Sequence, residues 1–335
     1  MRLALKIIGG LAGLVIAVVI IAAAYVYMTA FEPARRIAFQ NVAVADPGHP
    51  DIVAALWYPT TAKPGFMLLG ASGFMLADGG PVDGERLPLI IFSHGTGAAS
   101  LSHSDTAIAL AEKGFIVIAP THTGDNFRDS GDAGKPVWFV NRARHVERTI
   151  DAALTTWKHR QHVDAARIGI FGFSAGATTA LINIGGRPDL SRIWSQCEHS
   201  PEFICNILSP AEYRDFPPVE WKRDHRIRAA VLAAPGAGFA FAPSGVTEVD
   251  KPVQLWVGSA DDTVPLASNA GLLGNILGQR AEMHIVPKAN HYSFLMPCGL
   301  VGPPQICADP EGFDRRDFHR RFNAEVATFF ARQLR

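Results

Sequence analysis

RIGIFGFSAG, residues 167–176, is the stretch that decides the fold. RIGIFGF is a short, mostly apolar run of the kind that forms a strand buried on both faces. It runs into Gly172-Phe173-Ser174-Ala175-Gly176, a G-x-S-x-G motif, and a helical pattern follows at about 175–184. Small residues on either side of the serine allow a sharp turn. The turn lifts the Ser174 hydroxyl above the sheet edge, and the helix N-terminus behind it offers backbone N–H groups to a developing oxyanion. Outside a strand–turn–helix context the same residues would be an ordinary Gly/Ser turn.

The same rhythm extends in both directions. Residues 37–45 and 52–58 read as an antiparallel strand pair, followed by a Gly/Pro-rich stretch over 59–87. LPLIIFSH (87–94) and FIVIAP (115–120) read as buried strands, as do IRAAVLAAP (227–235), VQLWVG (253–258) and EMHIVP (282–287). Helical patterns lie at 102–113, closed by Gly114, and at 138–160, 264–278 and about 312–333. Short apolar strands alternating with helices predict an α/β fold, a mostly parallel sheet covered on both faces. The forty-odd residues at 186–226 break the alternation. They are rich in proline and carry Trp194, Phe203 and Trp221, so they are expected to fold as a small cap near the strand C-terminal ends, where ligands bind in open α/β sheets. Those aromatics are expected mainly to form the cap's own small core.

A serine hydroxyl is a weak nucleophile without a base. With this motif a carboxylate and then a histidine should follow it in the chain. Just past the strand at 253–258 comes Ser259-Ala260-Asp261-Asp262-Thr263-Val264-Pro265, and just past the strand at 282–287 comes Lys288-Ala289-Asn290-His291-Tyr292. His291 is the candidate base. Asp261 is favoured over Asp262 as its partner by the spacing G-x-x-D-x-x-V-P, with Asp262 read as a cap for a helix starting near 264. The loop Ser93-His94-Gly95-Thr96-Gly97 resembles HG-type oxyanion loops, which points to the backbone N–H groups of Thr96 and Ala175 as the oxyanion donors. His94 reads as a brace for that loop. Asp125 and Asn126 read first as turn residues and second as substrate contacts. The remaining histidines have no metal-ligand spacing, so a metal site is not expected.

Residues 7–31 contain no charged side chain and follow Arg2 and Lys6. About 20 apolar residues span a hydrocarbon core of roughly 30 Å. Residues 1–31 are therefore read as an N-terminal anchor or a cleaved signal peptide, with Ala22-Ala23-Ala24 as the small-residue cleavage site of the second reading. Residues 32–335 are the catalytic domain. An uncleaved helix puts that domain on the exported, periplasmic side of an inner membrane, with Tyr25, Tyr27 and Phe31 at the outer interface; cleavage makes it secreted. The four cysteines fall in two close pairs, Cys197/Cys205 and Cys298/Cys307. Local disulfides are the simplest pairing, with a zinc site or free buried thiols as the alternatives.

Totals narrow the function class. The 335 residues carry 31 Lys and Arg against 31 Asp and Glu, a net charge of zero, which argues against nucleic-acid binding. The 48% hydrophobic content excludes disorder, and four cysteines are too few for a disulfide-built miniprotein. No feature points to a particular oligomeric state.

Taken together, LWYPT (56–60), SHGTG (93–97), GFSAG (172–176), GSADDTVP (258–265), NHYSFLMPC (290–298) and ICADPEGFD (306–314) resemble the α/β-hydrolase superfamily. Within it they resemble the bacterial predicted dienelactone hydrolases and their platelet-activating-factor acetylhydrolase relatives. The resemblance covers most of residues 37–333. It implies a serine carboxylic-ester hydrolase without metal or organic cofactor, acting on a small-molecule or lipid ester of short acyl chain. The chain departs from true dienelactone hydrolases in carrying Ser174 where they use a cysteine nucleophile. An amidase or peptidase on the same three residues is the alternative chemistry, and a catalytically silent binding protein of the same fold the alternative class.

Overall fold

The computed structural model describes residues 2–335, with side chains from residue 10 onward. The side chains of Arg2 and Lys6, on which the expected membrane orientation leans, lie outside that range. Helix α1 (Arg2–Met28) contains an apolar span, Gly10–Met28, none of whose residues is fully buried, with Ala22 and Val26 half-buried. At 1.5 Å per residue its 19 residues reach about 28 Å, long enough to cross a membrane.

Strands β1 (Ile37–Val44) and β2 (Ile52–Pro59) pair antiparallel, from Ile37 opposite Pro59 to Val44 opposite Ile52. The Gly/Pro-rich stretch that follows contains a second hairpin, β3 (Gly65–Leu69) and β4 (Ser72–Asp78). Its alternation is masked by glycines and by the many apolar residues, so no strand was expected there. Next come β5 (Leu87–Ser93), α2 (Ser104–Glu112), β6 (Ile116–Pro120), α3 (Pro136–Thr155), β7 (Val163–Phe173) and α4 (Ala175–Asn183). The cap supplies α5 (Ser191–His199) and α6 (Pro210–Arg214). The chain closes with β8 (Ile227–Ala233), β9 (Val253–Gly258), α7 (Ala270–Leu277), β10 (Ala281–Val286), α8 (Pro304–Cys307) and α9 (Arg315–Gln333).

All ten strands form one sheet, in the order β10-β9-β8-β7-β5-β6-β2-β1-β4-β3. From β10 to β6 every neighbouring pair is parallel; β2 joins β6 antiparallel. Every residue of β6 and β9 is buried, as sheets covered on both faces require. Helix α2 packs with α9, and α3 with α4. This is the α/β-hydrolase architecture expected from the sequence, with the apolar helix at its N-terminus.

Three boundaries move. The helix read at 264–278 begins only at Ala270. Asn269 is pulled out of helical geometry (φ −117°, ψ −96°), since its side chain accepts from Gly238 N–H (2.9 Å) and donates to Glu202 (3.0 Å). The helix read at 138–160 ends at Thr155, and the final helix starts at Arg315, where the Asp314 carboxylate accepts from Asp317 N–H at 2.9 Å.

Both cysteine pairs are disulfides, Cys197–Cys205 and Cys298–Cys307, each with a Cα separation of 5.5 Å. No thiol is left for zinc or as a free cysteine. The first ties α5 to the 3-10 turn Phe203–Asn206, and the second closes a loop onto α8. Such bonds persist in oxidising compartments, so they fit an exported protein.

Candidate active site

Ser174 stands between β7 and α4 with φ +55° and ψ −119°, a left-handed conformation that a residue with a Cβ adopts only under constraint. Its N–H donates to the Ala233 carbonyl (2.9 Å), and its carbonyl accepts from Gly236 N–H (3.2 Å), which pins the turn to the end of β8. The flanking glycines are sterically required. A Cβ on Gly172 would run into the Gly176 carbonyl, and one on Gly176 into the Ser93 carbonyl. The motif is thus a turn held from both sides, with the Ser174 side chain lining a cavity of about 420 Å³.

Three elements far apart in sequence meet there. His291 Nε2 lies 3.0 Å from Ser174 Oγ, and His291 Nδ1 lies 2.9 Å from Asp261 Oδ2. Both His291 and Asp261 are buried. Asp261 Oδ1 accepts from the N–H groups of Thr263 (3.0 Å) and Val264 (2.9 Å), which sets the plane of its carboxylate. Among the described residues Asp262 forms no hydrogen bond or ion pair with His291, and no helix starts near 264 for it to cap. His291 opens a short 3-10 turn, His291–Phe294, closed by a reciprocal cap between Asn290 and Ser293. The Phe173 ring packs 4.9 Å from the imidazole. From behind, His319 bonds the Ser293 carbonyl (3.0 Å) and the Asp105 carboxylate (2.6 Å), bracing the turn that carries His291.

Thr96 and Ala175 both line the cavity beside Ser174. Neither backbone N–H has a hydrogen-bond partner among the described residues, and such unpaired donors suit an oxyanion. The rest of the Ser93–Gly97 loop is tied down. The backbone N–H of His122 donates to His94 Nε2 (3.0 Å), so the His94 proton sits on Nδ1, which donates to the Gly95 carbonyl (2.7 Å). Arg142 donates to the His94 carbonyl, and the Asp125 carboxylate accepts from Gly97 N–H at 2.8 Å. Asp125 and Arg142 form a fully buried ion pair, with Trp138 Nε1 donating to the same carboxylate. Asp125 is therefore a loop clamp and does not line the cavity. Asn126 is a turn residue, bonding the His122 carbonyl at 2.8 Å.

Sequence reading missed Arg142. One signal was present: it falls on the buried stripe of α3 with Trp138, Phe139, His145, Val146 and Thr149, where a charged residue needs a partner. The cavity walls also differ from expectation. The cap contributes Phe203, Ile204 and Ile207, and α3 contributes Trp138 and Phe139. Trp194 and Trp221 serve the cap's own packing, the first under the Arg214 guanidinium (5.2 Å) and the second bonded to the Pro188 carbonyl (3.1 Å). The tip of the β3–β4 hairpin and the Cys298–Cys307 loop complete the rim.

Around the clamp lies a group of buried histidines. Burial pushes His103 and His145 down to about 3, in the second case aided by Arg144. Burial, then Arg142, also lowers His94 and His122. Near pH 6.5 an unfolded chain protonates these rings, while the folded protein resists protonation until far lower pH. Their contribution is therefore neutral above about pH 6.5, and stability is lost progressively as pH falls from there toward about 3. Thermal melts are expected to show Tm falling steadily below about pH 6.5, with a shallower slope in His145→Gln. A flat Tm over that window in the wild type would contradict the burial argument.

The sequence pattern of the Dienelactone hydrolase family matches residues 79–194, a span that includes Ser174 and stops short of Asp261 and His291. The chain is 30% identical over 196 residues to esterase YjfP of Escherichia coli K12, covering 53% of this chain and 70% of that protein. It is 38% identical over 72 residues to a platelet-activating factor acetylhydrolase of Cavia porcellus, but this spans only 19% of the chain and 16% of the relative. Among solved structures, a ferulic acid esterase from Streptomyces cinnamoneus superposes with a TM-score of 0.64 at 18% identity, covering 91% of this chain and 94% of that one. At that identity the last likeness speaks for the fold alone.

Proposed function

The chain belongs to the dienelactone hydrolase family and is a hydrolase, and from that premise we propose that it is a serine carboxylic-ester hydrolase working through an acyl-enzyme. The observation that carries this reading is the continuous chain of hydrogen bonds Ser174–His291–Asp261 opening into the cavity. In the proposed mechanism His291 Nε2 takes the Ser174 proton as Oγ attacks the ester carbonyl. Asp261 holds the imidazole with its proton on Nδ1 and stabilises the imidazolium. The N–H groups of Thr96 and Ala175 receive the oxyanion. Collapse breaks the bond to the alcohol, which leaves with the proton from His291. Water, activated by the same histidine, then releases the acid.

The apolar cavity, closed by the cap and the Cys298–Cys307 loop, supports esters of short acyl chain. The N-terminal span and the two disulfides support a catalytic domain held by an uncleaved anchor on the exported, periplasmic side of an inner membrane. The test is a fluorophosphonate probe followed by peptide mapping, together with matched p-nitrophenyl esters and anilides of increasing acyl length. The expected result is a single label on the peptide containing Ser174, with ester turnover far above anilide turnover. Labelling elsewhere, or preference for the anilides, would refute the reading.

A further inference from the structure

Helix α1 does not merely precede the catalytic domain; its end is built into it. The Phe31 N–H donates to the Gly73 carbonyl (2.9 Å), and the Met75 N–H donates to the Phe31 carbonyl (2.9 Å). The Tyr27 and Phe66 rings lie 5.2 Å apart. A Cβ on Gly73 would strike the Val26 carbonyl, so helix and hairpin meet backbone to backbone. The β3–β4 hairpin is thereby held within one helical turn of the end of the apolar span. An uncleaved, membrane-crossing helix sets this hairpin at the level of the lipid headgroups.

The hairpin is apolar on its outward face. Phe66 and Leu68 point the same way from β3, and Leu68 is 58% exposed. Close by, Gly299 packs on Ala71 and Ser72 at the hairpin tip, and the next two residues, Leu300 and Val301, are exposed as well. Clustered apolar exposure of this kind is unfavourable in water and favourable at a bilayer interface.

Beneath the hairpin runs a second cavity, of about 810 Å³. Tyr25, Val26 and Thr29 of α1 form part of its wall. It shares Ala71, Ser72, Met296, Cys298 and Gly299 with the cavity over Ser174. The two cavities therefore adjoin, one reaching the membrane end of the helix and the other Ser174.

We propose that the β3–β4 hairpin and the Cys298–Cys307 loop rest on the lipid surface, and that the substrate is an ester dissolved in the bilayer, which reaches Ser174 by way of these adjoining cavities. This rests on the serine-esterase reading and on the helix remaining uncleaved. Two measurements on the full-length protein in phosphatidylcholine vesicles test it. All four native cysteines are in disulfides, so Leu68→Cys and Met283→Cys can each carry one nitrobenzoxadiazole label. Met283 lies on β10, the opposite edge of the sheet. The label at 68 is expected to shift to the blue and to be quenched by brominated lipid, while the label at 283 stays in water. Equal water exposure at both positions would overturn the proposal whatever the activity. In the second measurement, the double variant Phe66→Asp, Leu68→Asp is expected to hydrolyse a soluble butyrate ester at the wild-type rate. It should lose at least about tenfold, or about 1.4 kcal/mol, on the butyrate ester of a long-chain alkyl umbelliferone embedded in the vesicles. Unchanged hydrolysis of the embedded ester would overturn the docking surface, whereas failure of the wild type on both esters would instead refute the esterase reading.

Discussion

Ser174→Ala is expected to lower kcat for p-nitrophenyl acetate by about five to six orders of magnitude, with KM little changed and the fold intact. The expectation follows from what the hydroxyl does and does not hold. Its Oγ bonds only the His291 ring, and the strained turn is fixed by backbone bonds to Ala233 and Gly236. Alanine retains the Cβ, so the left-handed φ brings no new strain. What disappears is the bond-forming atom, and residual turnover should reflect the oxyanion donors and substrate binding alone. Steady-state kinetics alongside a thermal melt decide the matter. A variant with wild-type Tm and more than about a tenth of wild-type kcat would remove Ser174 from the chemistry.

Asp125→Asn is expected to cost about 3–5 kcal/mol of stability, because it leaves the Arg142 guanidinium buried without its counter-charge. Burial already lowers the Arg142 pKa and Asp125 opposes that shift, so the pair is mutually dependent. The effect should extend to catalysis. Arg142 holds the His94 carbonyl and Asp125 holds the Gly97 N–H, one on each side of the segment that presents Thr96 N–H to the cavity. Releasing both ends lets that donor wander, and a lost oxyanion donor typically costs about 10²–10³ in kcat. The double variant Asp125→Leu, Arg142→Met separates the two roles. Removing both charges should restore part of the stability, as replacing buried pairs by apolar side chains often does. Recovery stays partial because Trp138 Nε1 and Gly97 N–H lose their acceptor. Its kcat should stay depressed by about tenfold or more, since neither new side chain can hold the loop. Urea melts and kcat measured on the folded fraction provide the two readouts. Full recovery of kcat along with stability would make the pair structural only.

Most of the frame was legible beforehand because its signals are local. A buried strand must be a short apolar run, and a G-x-S-x-G turn needs glycine where any Cβ would strike backbone. The order Ser174, Asp261, His291 followed because each lies just past a strand and parallel strands put those ends on one edge. The disulfide pairing was legible for the same reason: eight or nine residues keep two thiols within reach. The hairpin at 65–78 was not, since its glycines and its apolar residues on both faces hide the alternation that marks a strand. The helix start at 264 was misread because the Asn269 side chain bonds Gly238 and Glu202, partners no local pattern reveals.

The sequence by itself determined the fold class, the serine turn, Ser174 and His291 with an aspartate of the 261–262 pair between them, and the presence of one membrane-length apolar span. Only the tertiary structure decided between Asp261 and Asp262 as the neighbour of His291. It alone paired Asp125 with Arg142 across seventeen residues, and set His319 and Asp105 behind the His291 turn. It also set the end of the apolar helix against a cavity that adjoins the one over Ser174. The physical reason is common to all of these. A strand or a tight turn is dictated by side chains within a few residues of one another. The partner of a buried charge, the back wall of a turn and the course of a cavity depend on which distant surfaces the packed sheet brings into contact.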